Sequence, residues 1–165
     1  MRPIVDAVKR RARLSSLTMR LALQAVALLS AALFTGGALY VSLVEHPART
    51  ALEPGAAIRQ FRSSYRRAAP WQAATAILAA VCGILASLAG GSWLWGIGGL
   101  MVGVAVPFTL IVIMPTNKRL LTSPPPSDEQ CRQLFARWGR LHGVRSLCGS
   151  AGLLVLLGAA LLHRG

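Results

Sequence analysis

Apolar residues in this chain come in stretches too long and too uniform for a soluble helix. Leu21–Val44 carries no charged residue, and neither does Ala68–Met114, which Gly90-Gly91-Ser92 divides in two. Val144–Leu162 is a fourth stretch, with Arg145 at its rim. A helix on a soluble core keeps a charged stripe on its outer face, and these stretches have none. A bilayer core about 30 Å thick takes roughly 20 apolar residues at 1.5 Å per residue. The pattern predicts an all-α protein, a four-helix transmembrane bundle with amphipathic loop helices. Its spans fall at about 21–44, 71–89, 93–114 and 144–162 within a single domain, 19–165, preceded by a basic N-terminal extension, 1–18.

The segments between spans have patterns of their own. In the loop Glu45–Pro70, Ile58, Phe61 and Tyr65 recur at helical spacing beside a stripe of Arg59, Arg62 and Arg66. Such a helix suits the interface, with rings in the acyl boundary and guanidinium groups at phosphates; the alternative is a loop helix packed on the bundle. Trp71 marks entry to the second span, and Trp93 and Trp95 stand at the opposite interface as aromatic anchors. Gly99 and Gly103 form G-x-x-x-G, which lets a neighbouring helix approach closely, and Pro107 kinks the third span. After Pro124-Pro125-Pro126, Ser127 with Asp128 and Glu129 is a helix start. Helical periodicity then runs through Leu134, Trp138, Leu141 and Arg145 with no proline before Leu162, so the fourth element is one long helix that begins outside the bilayer.

Composition agrees with the pattern: 54% of the residues are hydrophobic, the mean hydropathy is +0.53, and 14% are charged, against roughly 25% in a soluble domain. The net charge of +13 would suggest nucleic acid in a soluble protein. Here the basic residues flank the spans without aromatic interleaving or a nucleic-acid motif, which points to anionic lipid head groups as partners. A cleaved secretory signal has an apolar region of about 7–15 residues, shorter than Leu21–Val44. The expectation is a multi-pass protein of a bacterial inner membrane. Its orientation stays open. The two long loops carry eleven basic residues, against seven in the N-terminal segment and Arg164, but the N-terminal ones are densely clustered. Cys82, Cys131 and Cys148 form no C-x-x-C pair, which excludes a thiol–disulfide enzyme of the four-helix quinone reductase kind.

With four spans, the exit of the first, the exit of the third and the entrance of the fourth share one membrane face. That face collects Glu45-His46-Pro47, Pro115-Thr116-Asn117, and Trp138, His142 and Arg145. The last three are i, i+4 and i+7, one helical stripe, bordered by Gly139 and Gly143. Arg145 at the rim of the hydrocarbon needs a partner, and Glu45 is the expected counter-ion. An imidazole titrates near pH 6.5 and can take an acidic phenolic or benzylic proton. His142 is therefore the candidate base, with Arg145 and Asn117 stabilising the oxyanion. His46 joins the catalytic set, while Trp138 as a stacking wall, Glu45 and Tyr40 complete the substrate-binding set. The bland alternatives are an interfacial His142 satisfied by backbone or water, and His46 and Asn117 as helix-end punctuation. His46, His142 and Glu45 formally match a two-His-one-carboxylate metal face, but adjacent Glu45 and His46 would need a bent chain and no Cys/His spacing supports it, so no metal is expected.

Three stretches carry a family resemblance: Ser42-Leu43-Val44-Glu45-His46-Pro47-Ala48-Arg49, Pro107-Phe108-Thr109 through Met114-Pro115-Thr116-Asn117, and Trp138-Gly139-Arg140-Leu141-His142-Gly143-Val144-Arg145. Together they resemble the anthrone oxygenase-like family of small four-helix membrane proteins, over roughly Leu21–Leu162. The resemblance implies O₂-dependent oxidation of an anthrone to an anthraquinone, with O₂ as co-substrate and no bound cofactor. The positions that match are His46, Pro47, Asn117, Trp138, His142 and Arg145. The basic extension is not explained by it. Two functions follow as expectations: oxidation of a lipophilic phenol, anthrone or quinol, or a non-enzymatic membrane protein binding lipid or a partner through its bundle and basic loops. Convergence of His46, Asn117 and His142 around a cavity would favour the first. A transporter ranks third, since the four spans show no inverted repeat or broken-helix pair.

Overall fold

The computed structural model describes residues 2–162, and among them every regular element is helical. The first passage is α1 (Arg2–Tyr40), a π-helical stretch (Val41–Glu45) and α2 (His46–Thr50). The second is α3 (Pro54–Leu88). The third runs through α4 (Trp93–Gly103), α5 (Ala105–Phe108), a second π-helical stretch (Thr109–Ile113) and α6 (Met114–Leu121). The fourth is α7 (Asp128–Leu162). Four stretches, Lys9–Thr50, Pro54–Leu88, Trp93–Leu121 and Asp128–Leu162, are long and apolar enough to cross a membrane. Arg164 lies outside the described residues. The basic extension expected at 1–18 is helical from Arg2 and continuous with the first span.

Prolines shape the ends near the shared face. A proline ring crowds the carbonyl four residues back and offers it no N–H. At Pro47 and Pro115 the chain answers by widening the preceding turn rather than by stopping. The N–H of His46 donates to the Val41 carbonyl and that of Met114 to the Thr109 carbonyl, each five residues back. His46 and Asn117 therefore lie inside helices and punctuate nothing. At Pro107 the crowded carbonyl belongs to Gly103, and there the helix does break, at Val104 between α4 and α5.

The core of the bundle is made of small residues. Ala27, Ala31, Phe34 and Ala38 of α1 recur at helical spacing and are buried, facing Ala76, Ala79 and Ala86 of α3. Lipid tails give helices no hydrophobic reason to associate, so close van der Waals packing does that work. A side chain on Gly99 would strike the Ala79 carbonyl and Gly83, and one on Gly98 would strike the Gly152 carbonyl. The G-x-x-x-G pair thus serves contacts within the bundle, α3 against α4. Trp93 is exposed, but Trp95 faces the core instead of the interface. At the other end of the bundle the tight turn uses Gly90 at φ 85° and Ser92 as a helix cap that accepts from the Leu94 N–H.

α3 and α7 each have 35 residues, about 52 Å of helix against a hydrocarbon core of about 30 Å. Their apolar parts are C-terminal, so both N-terminal halves overhang on the shared face. α3 continues through Pro70, and Ile58 and Phe61 are buried against Phe135 and Trp138 of α7. Of the two readings of this segment, an interfacial helix or a loop helix packed on the bundle, the second holds, because α7 offers those rings an apolar partner. α7 starts as expected: Ser127 Oγ accepts from the Gln130 N–H, and Gln130 Oε1 accepts from the Ser127 N–H.

Candidate functional site

Between the overhanging helices and the third passage lies a cavity of about 230 Å³. Its apolar part is lined by residues such as Phe34, Ala73, Ala105 and Ile113, within the spans. Its polar part is lined by Glu45, Arg49, Tyr65, Gln72, Asn117, His142 and Arg145, with Trp138 as one wall. Parity alone required these elements to share a face; packing makes them share one space.

Trp138 is the hub. Its indole N–H donates to Asn117 Oδ1 at 2.8 Å, in the bundle interior. The ring stacks on His142 at 4.6 Å between centroids and 21° between planes, meets Phe61 edge-on at 5.6 Å, and lies 5.2 Å from His46. The i, i+4 spacing of Trp138 and His142 produces the stack directly. Asn117 also donates from Nδ2 to Tyr65 Oη at 3.2 Å. Its carbonyl oxygen and one N–H are thus used within the protein, and it acts as a strut between α6, α3 and α7. Tyr65, having accepted that bond, keeps its own hydroxyl proton available to the cavity.

His142 is buried, and its Nδ1 lies 3.0 Å from Ser42 Oγ, which lies 2.9 Å from Ser146 Oγ. Ser146 Oγ is also 3.2 Å from the Ala38 carbonyl and 3.0 Å from that of His142. With the Ser146 proton pointing to one of these carbonyls, Ser146 accepts from Ser42. Ser42 then accepts from Nδ1–H, and the single Ser146 proton serves one of the two carbonyls. This direction leaves Nε2 as the unprotonated nitrogen, the form a general base needs.

Arg145 does not pair with Glu45. Its Nη2 donates to Gln72 Oε1, and the guanidinium lies 5.0 Å from the centroid of the Phe34 ring. Gln72 in turn donates to the Phe34 carbonyl at 3.4 Å, in space that any side chain on Gly37 would fill. Among the described residues Arg145 has no carboxylate partner. Glu45 is instead the counter-ion of Arg49: Arg49 Nη2 pairs with Glu45 Oε1, four residues earlier, while its Nε donates to Gln60. Arg49 is 2% exposed and lies over the Phe61 and Trp138 rings at 5.2 and 5.5 Å.

Two residues of the expected set do not line the cavity. Tyr40 is 59% exposed on the outer face of the bundle. His46 sits behind Trp138, 6.4 Å from Phe135, with Nε2 in the space that a side chain on Gly139 would fill. Sequence reasoning missed Arg49, Tyr65, Gln72 and Ser42. Two signals existed: the i, i+4 spacing of Glu45 and Arg49, and Gln72 as an amide within the apolar run. No group of three His, Cys, Asp or Glu placed to hold a metal occurs among the described residues.

Compared with known families, residues 61–155 match the family model described as anthrone oxygenase, more than half of the chain. That segment contains Tyr65, Gln72, Asn117, Trp138, His142 and Arg145; Ser42 and Arg49 lie before it. No curated protein and no solved structure matches.

Proposed function

The chain belongs to the anthrone oxygenase family, and from that premise we propose that the cavity oxidises a lipophilic anthrone, phenol or quinol with O₂ as co-substrate and no bound cofactor. The observation that carries this reading is His142 in the cavity wall, its Nδ1 tied to Ser42 and its ring stacked on Trp138. The substrate enters from lipid and stacks beside Trp138 and Phe61. His142 Nε2 takes a benzylic or phenolic proton. Arg145, which has no carboxylate partner among the described residues, holds the oxyanion that forms, with the Tyr65 hydroxyl as second donor.

For an anthrone, the conjugate base gives one electron to O₂. The resulting radical pair joins at the carbon that lost its proton, forming a peroxide anion that takes the proton back from His142, and the hydroperoxide then loses water to leave a carbonyl. One anthrone and one O₂ give one anthraquinone and one water. The substrate's own carbanion supplies the electrons, which is why the reaction requires no cofactor.

Exposed Arg59, Arg66, Arg67, Lys118, Arg119, Arg137 and Arg140 surround the same end of the bundle. They support a seat among anionic head groups of a bacterial inner membrane. Oxygen uptake by the purified protein on a panel of anthrones, quinols and phenols tests the proposal. Uptake confined to one ring class identifies the substrate. Absence of uptake on every member would leave the cavity as a lipid- or partner-binding site.

A further inference from the structure

Arg49 is more completely committed than any other charged side chain near the cavity, with one exception within its own guanidinium. Its Nε donates to Gln60, and its Nη2 serves both Glu45 and Ser64. Nη1 is buried and has no hydrogen-bond partner among the described residues. The guanidinium is fixed in orientation by the Phe61 and Trp138 rings beneath it and by the Glu45 carboxylate. Arg49 also lines the cavity. A buried donor left unmatched is costly, the more so on a charged group, and here it belongs to a side chain that cannot turn away.

We propose that Arg49 is a specificity-determining residue, its Nη1 donating to a neutral oxygen of the substrate separate from the oxygen held by Arg145. The two guanidinium groups differ in chemistry. Glu45 already neutralises Arg49, so Nη1 favours a neutral acceptor, a carbonyl or hydroxyl. Arg145 has only the Gln72 carbonyl and the Phe34 ring, so it favours an oxygen that becomes anionic. The cavity therefore selects planar aromatic compounds with two oxygen functions over those with one. Arg49 acts by binding and takes no part in proton transfer. The inference rests on the cavity being the substrate site, and it adds a second oxygen subsite from a segment outside the matched family region.

The test is a binding cycle without turnover. Full-length protein in lipid nanodiscs is titrated anaerobically with 1-naphthol, which has one oxygen, and with 1,5-dihydroxynaphthalene, which has two. Three forms are compared: the native chain, Arg49→Lys, and the double variant Glu45→Gln with Arg49→Met. Lysine keeps the pair with Glu45 but lacks Nη1; the double variant removes both charges, so neither is left buried alone. The native chain binds the two-oxygen probe about tenfold more tightly, as one added hydrogen bond to a charged donor gives. Both variant forms lose that preference, the ratio of the two affinities falling to within about twofold of one. A preference missing from the native chain, or retained in both variants as when only water occupies Nη1, overturns the proposal. Equal weakening of both probes overturns it too, since Arg49 would then only shape the cavity. Oxygen uptake is measured separately, so failure of the oxidase reading is distinguishable from failure of this one.

Discussion

The Trp138 indole N–H meets Asn117 Oδ1 at 2.8 Å, and that bond joins the end of the third passage to the overhang of the fourth. It fixes the ring against which His142 stacks. Through Tyr65 the same asparagine reaches α3, so one amide sets the spacing of three helices.

Asn117→Ala leaves the buried Trp138 N–H without an acceptor. The expected loss is about 1–3 kcal/mol of stability, read as a lower thermal midpoint in detergent. Adding Trp138→Phe to Asn117→Ala costs less than the sum of the two single variants, because the orphaned donor is gone.

Ser42→Ala removes the hydroxyl hydrogen-bonded to His142 Nδ1. The ring keeps its stack on Trp138 but loses its fixed tautomer. The maximal rate falls by roughly tenfold, less than the 10²-fold or greater loss expected for removing a general base. KM stays close to native, because Ser42 does not touch substrate.

Gly139→Ala and Gly143→Ala form a matched pair. A methyl group on Gly139 overlaps His46, whereas one on Gly143 meets nothing within 4 Å. Gly139→Ala destabilises by about 1–3 kcal/mol through overpacking. Gly143→Ala is neutral or stabilising by up to about 1 kcal/mol, from helix propensity. Thermal unfolding of the two variants side by side reads the difference.

Tyr40→Phe leaves activity within twofold of native, since the ring points outward from the bundle. Periodicity alone could have shown this: Ala38 faces the core, and Tyr40 stands about 200° further round the helix.

What the sequence made legible follows from what hydropathy and parity encode. The four spans, the shared face and the long α7 with its Ser127 start are all written in local pattern. The Trp138–His142 stack follows from spacing on one helix. The response at Pro47 and Pro115 was not legible, because ending a helix and widening it are both compatible with a proline. Packing decides between them. Pairing Glu45 with Arg145 across the shared face overlooked Arg49 one turn further on, which a helix continuing through Pro47 brings within reach of Glu45. Phe61 and Tyr65 kept two readings for a related reason: an amphipathic face is the same whether its partner is lipid or another helix.

The central claim is that His142 removes a proton from a substrate that O₂ then oxidises. Purified native protein and His142→Ala are each mixed anaerobically with an anthrone, and air is then admitted while O₂ and anthraquinone are followed. The account predicts one O₂ consumed per anthraquinone formed by the native protein, with a rate lower by at least about 10²-fold in the variant. Equal rates in the two proteins would contradict it.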